Sequence, residues 1–138
     1  MSEDVRGTIE KEKSHLYDAI VDDVNSPFYK HSKTDVFVAA AAIGYYYKKS
    51  VTLATPKQDL FVLSTLSRDE KGRLWIMKAI ALSMGGLEVL KDMKEIVKIC
   101  EGYANYGIDW LYKLHDDEVD ISAALSEIMG DILSEANL

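Results

Sequence analysis

The chain has one cysteine, two prolines and no long apolar run, and each scarcity excludes a class of protein. A single cysteine, Cys100, cannot form an internal disulfide, which indicates a reducing compartment and excludes a disulfide-rich secreted scaffold. No apolar stretch reaches the roughly 18 to 20 residues that cross a bilayer. The first residues also lack the basic-then-apolar pattern of a secretory signal. We therefore predict a cytoplasmic protein with no membrane partner.

Sequence motifs for catalysis and cofactor binding are also missing. There is no P-loop, no G-x-G-x-x-G and no G-x-S-x-G elbow, so nucleotide binding and serine hydrolysis have no motif support. The three histidines, His15, His31 and His115, do not pair with one another or with Cys100 at the spacing of metal ligands. We therefore predict a protein that is not an enzyme and that holds no cofactor and no metal.

The composition that is present is typical of a folded globular protein. The 138 residues are 48% apolar and 28% charged, which suits one domain over residues 1–138. Apolar residues recur at helical spacing, so we predict an all-α fold, a single compact bundle of five or six helices. Helices are expected over 8–23, 34–49, 73–84 and 121–133, with one long helix or two shorter ones over 87–115. Residues 58–66 fit either a short helix or a strand, and the helix from Arg73 is expected to be buried on most sides.

The net charge of −7 is unevenly distributed. Residues 116–138 contain seven acids and no base, whereas residues 26–57 contain five lysines and one aspartate. Such an acidic chain is not a general nucleic-acid binder. Its basic segment, however, ends in three tyrosines and two lysines, which can stack on bases and pair with phosphates. The candidate DNA or partner contacts are Lys30, Lys33, Tyr45, Tyr46, Tyr47, Lys48 and Lys49. The structural alternative is that the tyrosines pack inward and leave a solvated pair of lysines.

Three segments carry a family resemblance. SPFYKHSKTDVFVAAAAIGYYYKKSVTL, residues 26–53, resembles the signature of the fourth family of Dnd system-associated proteins, which accompany DNA phosphorothioation. MKAIALSMGGLEVLKD and CEGYANYGIDWLYKL, residues 77–92 and 100–114, are similar to its later blocks. The resemblance implies a prokaryotic accessory protein of a phosphorothioation-linked restriction or antiviral defence system, and it carries no catalytic residues. The motif positions are Asp35, Phe37, Ala41, Gly44, Tyr103, Ala104, Asn105 and Gly107.

These motif positions also have structural explanations. Asp35 suits the positive end of a helix dipole, after a cap at Ser32 or Thr34. Ala41 and Gly44 lie on one helix face with Phe37 and permit close packing. If residues 87–115 form two helices, Tyr103, Asn105 and Gly107 would form the junction between them.

Two functions stay open from the sequence. The first is a non-enzymatic adaptor that acts through protein partners, with or without DNA contact, and whose acidic C-terminal helix suits a basic partner. The second is a small helical DNA-binding regulator that uses the basic-aromatic end of helix 34–49. Self-association into a homo-oligomer is compatible with both.

Overall fold

A computed structural model describes residues 5–66, 72–117 and 120–135. Its main elements are β1 (Arg6–Glu10), α1 (Ser14–Asp22), α2 (Lys33–Tyr47), β2 (Lys57–Val62), α3 (Arg73–Gly85), α4 (Met93–Asp116) and α5 (Ile121–Glu135). Three short 3₁₀ turns follow β1, β2 and α3, at Lys11–Lys13, Leu63–Leu66 and Leu87–Lys91. The two helices α2 and α4 form the centre of the fold. Within the described part of the chain, no helix is long and apolar enough to span a bilayer.

The fold is mostly helical, but the prediction of a purely all-α protein is wrong. β1 and β2 form a two-stranded antiparallel sheet in which Arg6 pairs with Val62 and Glu10 pairs with Lys57. The predicted helix over 8–23 therefore starts only at Ser14. Ile9 is buried at a spacing that also fits a helix, and only its pairing with Gln58 of the distant strand β2 decides its conformation. The sequence of residues 58–66 fits either a short helix or a strand. In the structure this segment begins within β2 and ends as a 3₁₀ turn.

α2 begins and packs as its sequence predicts. The Ser32 hydroxyl accepts a hydrogen bond from the Asp35 backbone N–H at 3.2 Å, which caps the helix. Phe37, Ala40, Ala41 and Gly44 are all buried, and the Phe37 ring meets the Phe61 ring of β2 edge to face at 5.0 Å. α2 thus forms the middle of the core, with α1, α3, α4, α5 and β2 around it.

α4 is one continuous helix over Met93–Asp116, so of the two arrangements open from the sequence, the one with a junction at Tyr103, Asn105 and Gly107 does not form. Gly102 and Gly107 lie within it where other parts of the chain come close. Gly107 faces the backbone of Ala40 on α2, so a side chain there would collide with the neighbouring helix. Gly107 therefore serves packing, and its tertiary contact compensates for its low helix propensity.

α3 is less buried than predicted. Met77, Ile80 and Ala81 face the core, but Trp75 on the opposite side is 73% exposed. The helix is apolar almost all round, so its periodicity does not distinguish a buried face from an exposed one. Gly85 and Gly86 end it as expected, with Gly86 at φ +68.

The C-terminal helix, expected over 121–133, forms as α5. The Asp120 carboxylate accepts a hydrogen bond from the Ala123 N–H at 3.1 Å and caps its first turn. Leu125 is partly buried and Ile128 is buried against the core, as the apolar spacing predicts. The same apolar spacing predicts that Ile121, Ile132 and Leu133 also point inward, but their side chains lie outside those that the structure describes.

Candidate functional site

The three tyrosines at the end of α2 point in three directions. The Tyr45 ring meets Tyr103 of α4 edge to face, with centroids 6.1 Å apart. The Tyr46 hydroxyl donates a hydrogen bond to the Asp131 carboxylate of α5 at 2.7 Å. Tyr47 contacts two further rings of α4. Together these rings form an aromatic cluster, which comprises Tyr45, Tyr46, Tyr47, Tyr103, Tyr106 and Trp110.

Lys48 and Lys49 lie over this aromatic cluster. The Lys48 Nζ is 4.1 Å from the centroid of the Tyr45 ring, and the Lys49 Nζ is 5.5 Å from that of Tyr106. Lys48 ends α2 in the left-handed conformation, with φ +57. Its N–H donates to the Tyr45 carbonyl, and the Lys49 N–H donates to the Gly44 carbonyl. This closed turn fixes the backbone of both exposed lysines beside the rings.

The other two lysines of the predicted contact set lie at the opposite end of α2. Lys33 forms an ion pair with Asp18 of α1, and the Lys30 Nζ lies 5.5 Å from the ring of Tyr29. A helix of this length separates its ends by roughly 22 Å. The structure therefore brings together Tyr45, Tyr46, Tyr47, Lys48 and Lys49 and leaves Lys30 and Lys33 apart from them.

Asn105, one of the motif positions, joins three parts of the chain. Its buried side-chain amide donates to the Glu10 carboxylate of β1 at 2.6 Å and to the Val51 carbonyl at 3.2 Å. Lys13 donates to the Asn105 carbonyl at 2.9 Å and to Asp109 at 2.8 Å. Asn105 thus fastens α4 to the sheet and to the loop after α2.

This network stabilises the ionised form of Glu10. Burial alone would raise its pKa, but hydrogen bonds from Asn105 and from the Ala54 N–H, with Lys13 nearby, leave the pKa of Glu10 below its ordinary value. The carboxylate acts as the acceptor at the centre of the network.

The remaining motif positions also lie in packing or polar contacts. Ala41 and Ala104 are fully buried on α2 and α4, where their small side chains permit close packing. Tyr103 is buried apart from its hydroxyl, which donates to the Met84 sulfur at 2.9 Å. The Asp35 carboxylate lies 3.1 Å from the His31 ring and 3.5 Å from the Arg73 guanidinium.

One candidate surface was missed by the sequence analysis. We define the α3 outer face as the exposed residues Trp75, Ala79 and Leu82 of α3, together with the exposed Leu87 of the 3₁₀ turn that follows it. Trp75 and Leu87 are 73% and 74% exposed, and the Lys78 Nζ lies 5.3 Å from the centroid of the Trp75 ring. The signal in the sequence is that α3 contains no acidic residue while a tryptophan, an alanine and a leucine recur at helical spacing.

The cysteine and histidine side chains that could serve in catalysis pack against, or pair with, other residues of the fold. Cys100 is buried, and burial raises the pKa of its thiol to about 12, so the reactive thiolate is scarce at neutral pH. His115 lies 3.4 Å from Asp23, and His15 packs against the ring of Tyr112. Among the residues that the structure describes, no group of three histidine, cysteine or acidic residues is placed to hold a metal ion.

Comparison with known proteins gives a family but no characterised relative. No curated protein and no solved structure matches the chain. The family model described as DNA sulphur modification system-associated protein 4 matches residues 6–136. This match covers both strands, all five helices and every motif position described above. The chain therefore belongs to the family of DNA sulphur modification system-associated protein 4.

Proposed function

We propose that this chain is a non-enzymatic adaptor of a DNA sulphur modification system and that it works by binding protein components of that system. Family membership supports the biological setting. The observation that carries the adaptor role is the exposed, apolar α3 outer face, with Trp75 at its centre. Exposed apolar patches on soluble proteins commonly mark interaction sites. In this proposal the adaptor serves restriction or antiviral defence in a prokaryotic cytoplasm.

The chemistry of the α3 outer face suits a protein partner. Tryptophan is enriched at the centres of interfaces, where acidic residues are depleted, and α3 has no acidic residue. Lys78 beside Trp75 adds a cation that a partner's aromatic or acidic side chain can meet. The acids Glu127 and Asp131 are exposed on α5 and supply charge for recognition of a basic surface elsewhere on the partner.

The adaptor proposal is tested by affinity purification from cells that carry the sulphur modification system. Trp75→Ser and Leu87→Ser should each lose a component of that system that the unsubstituted chain retains. Val24→Ser is the matched control, because Val24 is also 68% exposed but lies away from α3. Retention of the same components by all three variants would refute the role of this face. Sedimentation of the chain alone tests whether a second copy is the partner.

A DNA-binding regulator is the second candidate, and a specific observation favours it. Lys48 and Lys49 are exposed beside the aromatic cluster, an arrangement that suits phosphate contact and base stacking. The body of α2 is covered by its neighbours, and only its last turn is exposed, at Tyr47. Contact with DNA would therefore involve this last turn and the two lysines, without insertion of the whole helix into a groove.

Fluorescence polarisation with plain and phosphorothioated duplexes at several salt concentrations tests the second candidate. Loss of both lysine contacts in Lys48→Glu/Lys49→Glu should weaken binding and reduce the slope of log K against log salt by about two. Lys30→Glu/Lys33→Glu is the control, because these lysines lie at the other end of α2. An equal loss of DNA affinity in both double variants would indicate a general charge effect. If the protein binds neither duplex, the DNA-binding candidate is refuted and the adaptor proposal remains.

A further inference from the structure

The aromatic cluster has an exposed edge at Tyr47, the last residue of α2. Tyr47 is 39% exposed. Its ring centroid lies 6.4 Å from that of Tyr106 and 5.8 Å from that of Trp110, which follow each other on successive turns of α4 and are only partly buried. The Tyr46 ring, 5.0 Å away, contacts it as well. Packing against three rings thus holds Tyr47 in place and leaves part of its surface open to solvent.

The two lysines beside this edge keep their positive charge. Among the residues that the structure describes, neither Lys48 nor Lys49 forms an ion pair, and their ammonium groups lie over rings, which do not neutralise them. Two acids of the neighbouring helices are engaged elsewhere. Asp131 accepts a hydrogen bond from a tyrosine hydroxyl of the cluster, and Asp109 pairs with Lys13 at 2.8 Å. A phosphate can therefore approach both lysines.

A ring on this edge can stack only on a base that lies outside a double helix. Within a duplex the faces of each base are covered by its neighbours in the stack, and only the base edges are accessible, in the grooves. The body of α2 is covered by α1, α3, α4 and α5, so it does not enter a groove to contact those edges. An unpaired base, in contrast, offers a free face to an aromatic side chain and a flanking phosphate to a lysine.

We propose that the exposed edge of the aromatic cluster binds single-stranded DNA. One base stacks on Tyr47, and the phosphates on either side of it contact Lys48 and Lys49. Stacking supplies the preference for a single strand, and the lysines supply electrostatic affinity. Single-strand binding rests on the second candidate function above and names the class of DNA that this site takes. It is compatible with the adaptor role, because neither Trp75 nor Leu87 takes part.

The probes are fluorescein-labelled oligothymidylate and its duplex with oligoadenylate, each titrated with the full chain by fluorescence polarisation. We expect the single strand to bind about tenfold more tightly than the duplex, because only the single strand can place a base on Tyr47. Equal or tighter binding of the duplex would overturn the preference for single strands and leave the DNA-binding candidate in place. Binding of neither probe would refute both.

Two variants separate stacking from charge. Tyr47→Ser should weaken single-strand binding about tenfold without changing its salt dependence. Lys49→Gln removes a phosphate contact and should reduce the slope of log K against log salt by about 0.7, the value for one contact on a single strand. Tyr29→Ser is the matched control, because Tyr29 is 38% exposed with a lysine Nζ 5.5 Å from its ring, but it lies before α2 and outside the cluster. Equal losses in Tyr29→Ser and Tyr47→Ser would contradict the assignment, as would an unchanged slope in Lys49→Gln.

Trp110 gives a readout that leaves the site intact. The chain has two tryptophans, so Trp75→Phe makes Trp110 the only one. Because Trp110 lies against Tyr47, a base stacked on Tyr47 should quench its fluorescence, with the same midpoint as the polarisation titration. Melting curves establish whether Tyr47→Ser and Lys49→Gln are folded, and the Trp110 signal provides the test if they are not. Polarisation that saturates with no change in Trp110 fluorescence would contradict stacking at this edge.

Discussion

Gly107 of α4 lies directly against the backbone carbonyl of Ala40 on α2, with no room for a Cβ between them. On the same pair of helices, Gly44 of α2 lies directly against the carbonyl of Tyr103. The contact is reciprocal, since each helix presents a glycine to the backbone of the other. Side chains at these positions normally set the distance between packed helices. Their absence lets α2 and α4 approach closely at the centre of the core.

Enlarging either glycine should therefore destabilise the fold. We expect Gly107→Ala and Gly44→Leu to lower the free energy of unfolding by about 3 kcal/mol or more, at the upper end of overpacking costs. The reason is that the obstructing atoms belong to backbone, which cannot rotate away. Urea denaturation measures the change.

Gly102→Ala is the matched control on the same helix. Its new Cβ would meet the hydroxyl end of Ser50, an exposed side chain that can rotate. Alanine also has a helix propensity about 1 kcal/mol better than glycine, so this variant should be close to neutral. Equal destabilisation by Gly102→Ala and Gly107→Ala would contradict the importance of the carbonyl contacts.

Removal of the Asn105 amide should break the connection between α4, β1 and the loop after α2. Asn105→Ala removes the hydrogen bonds to the half-buried Glu10 carboxylate, which keeps the Ala54 N–H as a donor, and to the carbonyl of the exposed Val51. A hydrogen bond to a charged group contributes about 1.5–3 kcal/mol, and we expect a loss of stability in that range. Asn25→Ala, at an exposed position, is the control and should change the free energy of unfolding little. If Asn105→Ala leaves the free energy of unfolding unchanged, water replaces the amide.

Glu10 should make stability dependent on pH in the acidic range. Its pKa is lower in the folded protein than the ordinary value of 4.5. The ionised group therefore stabilises the fold above pH 4.5, and this contribution is lost as pH falls through the folded pKa. The stability difference between the unsubstituted protein and Glu10→Gln should be full near pH 7 and shrink below pH 4.5. Glu12→Gln, at an exposed neighbouring position, is the control.

Features that depend on local sequence were predictable. Ser32 and Asp35 mark the start of α2, and the run of alanines before Gly44 identifies a face that permits close packing. The tyrosines diverge as expected, because successive residues on a helix are about 100° apart. What the helix contacts depends on residues far away in the chain. The sequence places Lys30 and Lys33 in one contact set with Lys48 and Lys49 only because of their charge. In the structure the length of α2 separates the two pairs.

Features that depend on distant partners were not predictable. β1 is too short for its sequence pattern to predict a strand, and its strand conformation comes from pairing with β2. α3 is apolar on every side, so the exposure of Trp75 follows from which neighbours cover the helix. Asn105 is a polar amide between Tyr103 and Gly107, and all three residues are buried on α4. A buried amide requires hydrogen-bond partners, which predicts a tertiary contact but not its identity.

Cys100 should be chemically inert in the folded protein. Its side chain is buried, with the sulfur 3.6 Å from the Met77 carbonyl, and the thiol pKa is raised by burial to about 12. A disulfide reagent such as 5,5′-dithiobis(2-nitrobenzoate) should therefore react only as fast as the protein opens. Addition of urea beyond the unfolding midpoint should restore the rate of an ordinary thiol. Rapid reaction in native buffer would contradict the buried placement of Cys100.

The contact between Tyr46 and Asp131 should be visible in the titration of a single tyrosine. The hydrogen bond to Asp131 is the main cause that raises the pKa of Tyr46 to about 12. Because the folded pKa is the higher one, the contact stabilises the fold fully below pH 10, and this contribution is lost as pH rises toward 12. Tyrosine labelled with ¹³C at Cζ reports each phenol separately by NMR, so Tyr46 can be followed among the eight tyrosines.

Asp131→Asn removes the negative acceptor and should return the pKa of Tyr46 toward 10. Glu88→Gln is the control, because it removes an exposed acid that pairs with Lys91 instead. The comparison measures how α5 is placed on α2, since only a docked α5 brings Asp131 to the Tyr46 hydroxyl. If Tyr46 titrates near 10 before any substitution, α5 does not hold this position in solution. If both variants lower the pKa equally, the cause is the overall negative charge and not the hydrogen bond.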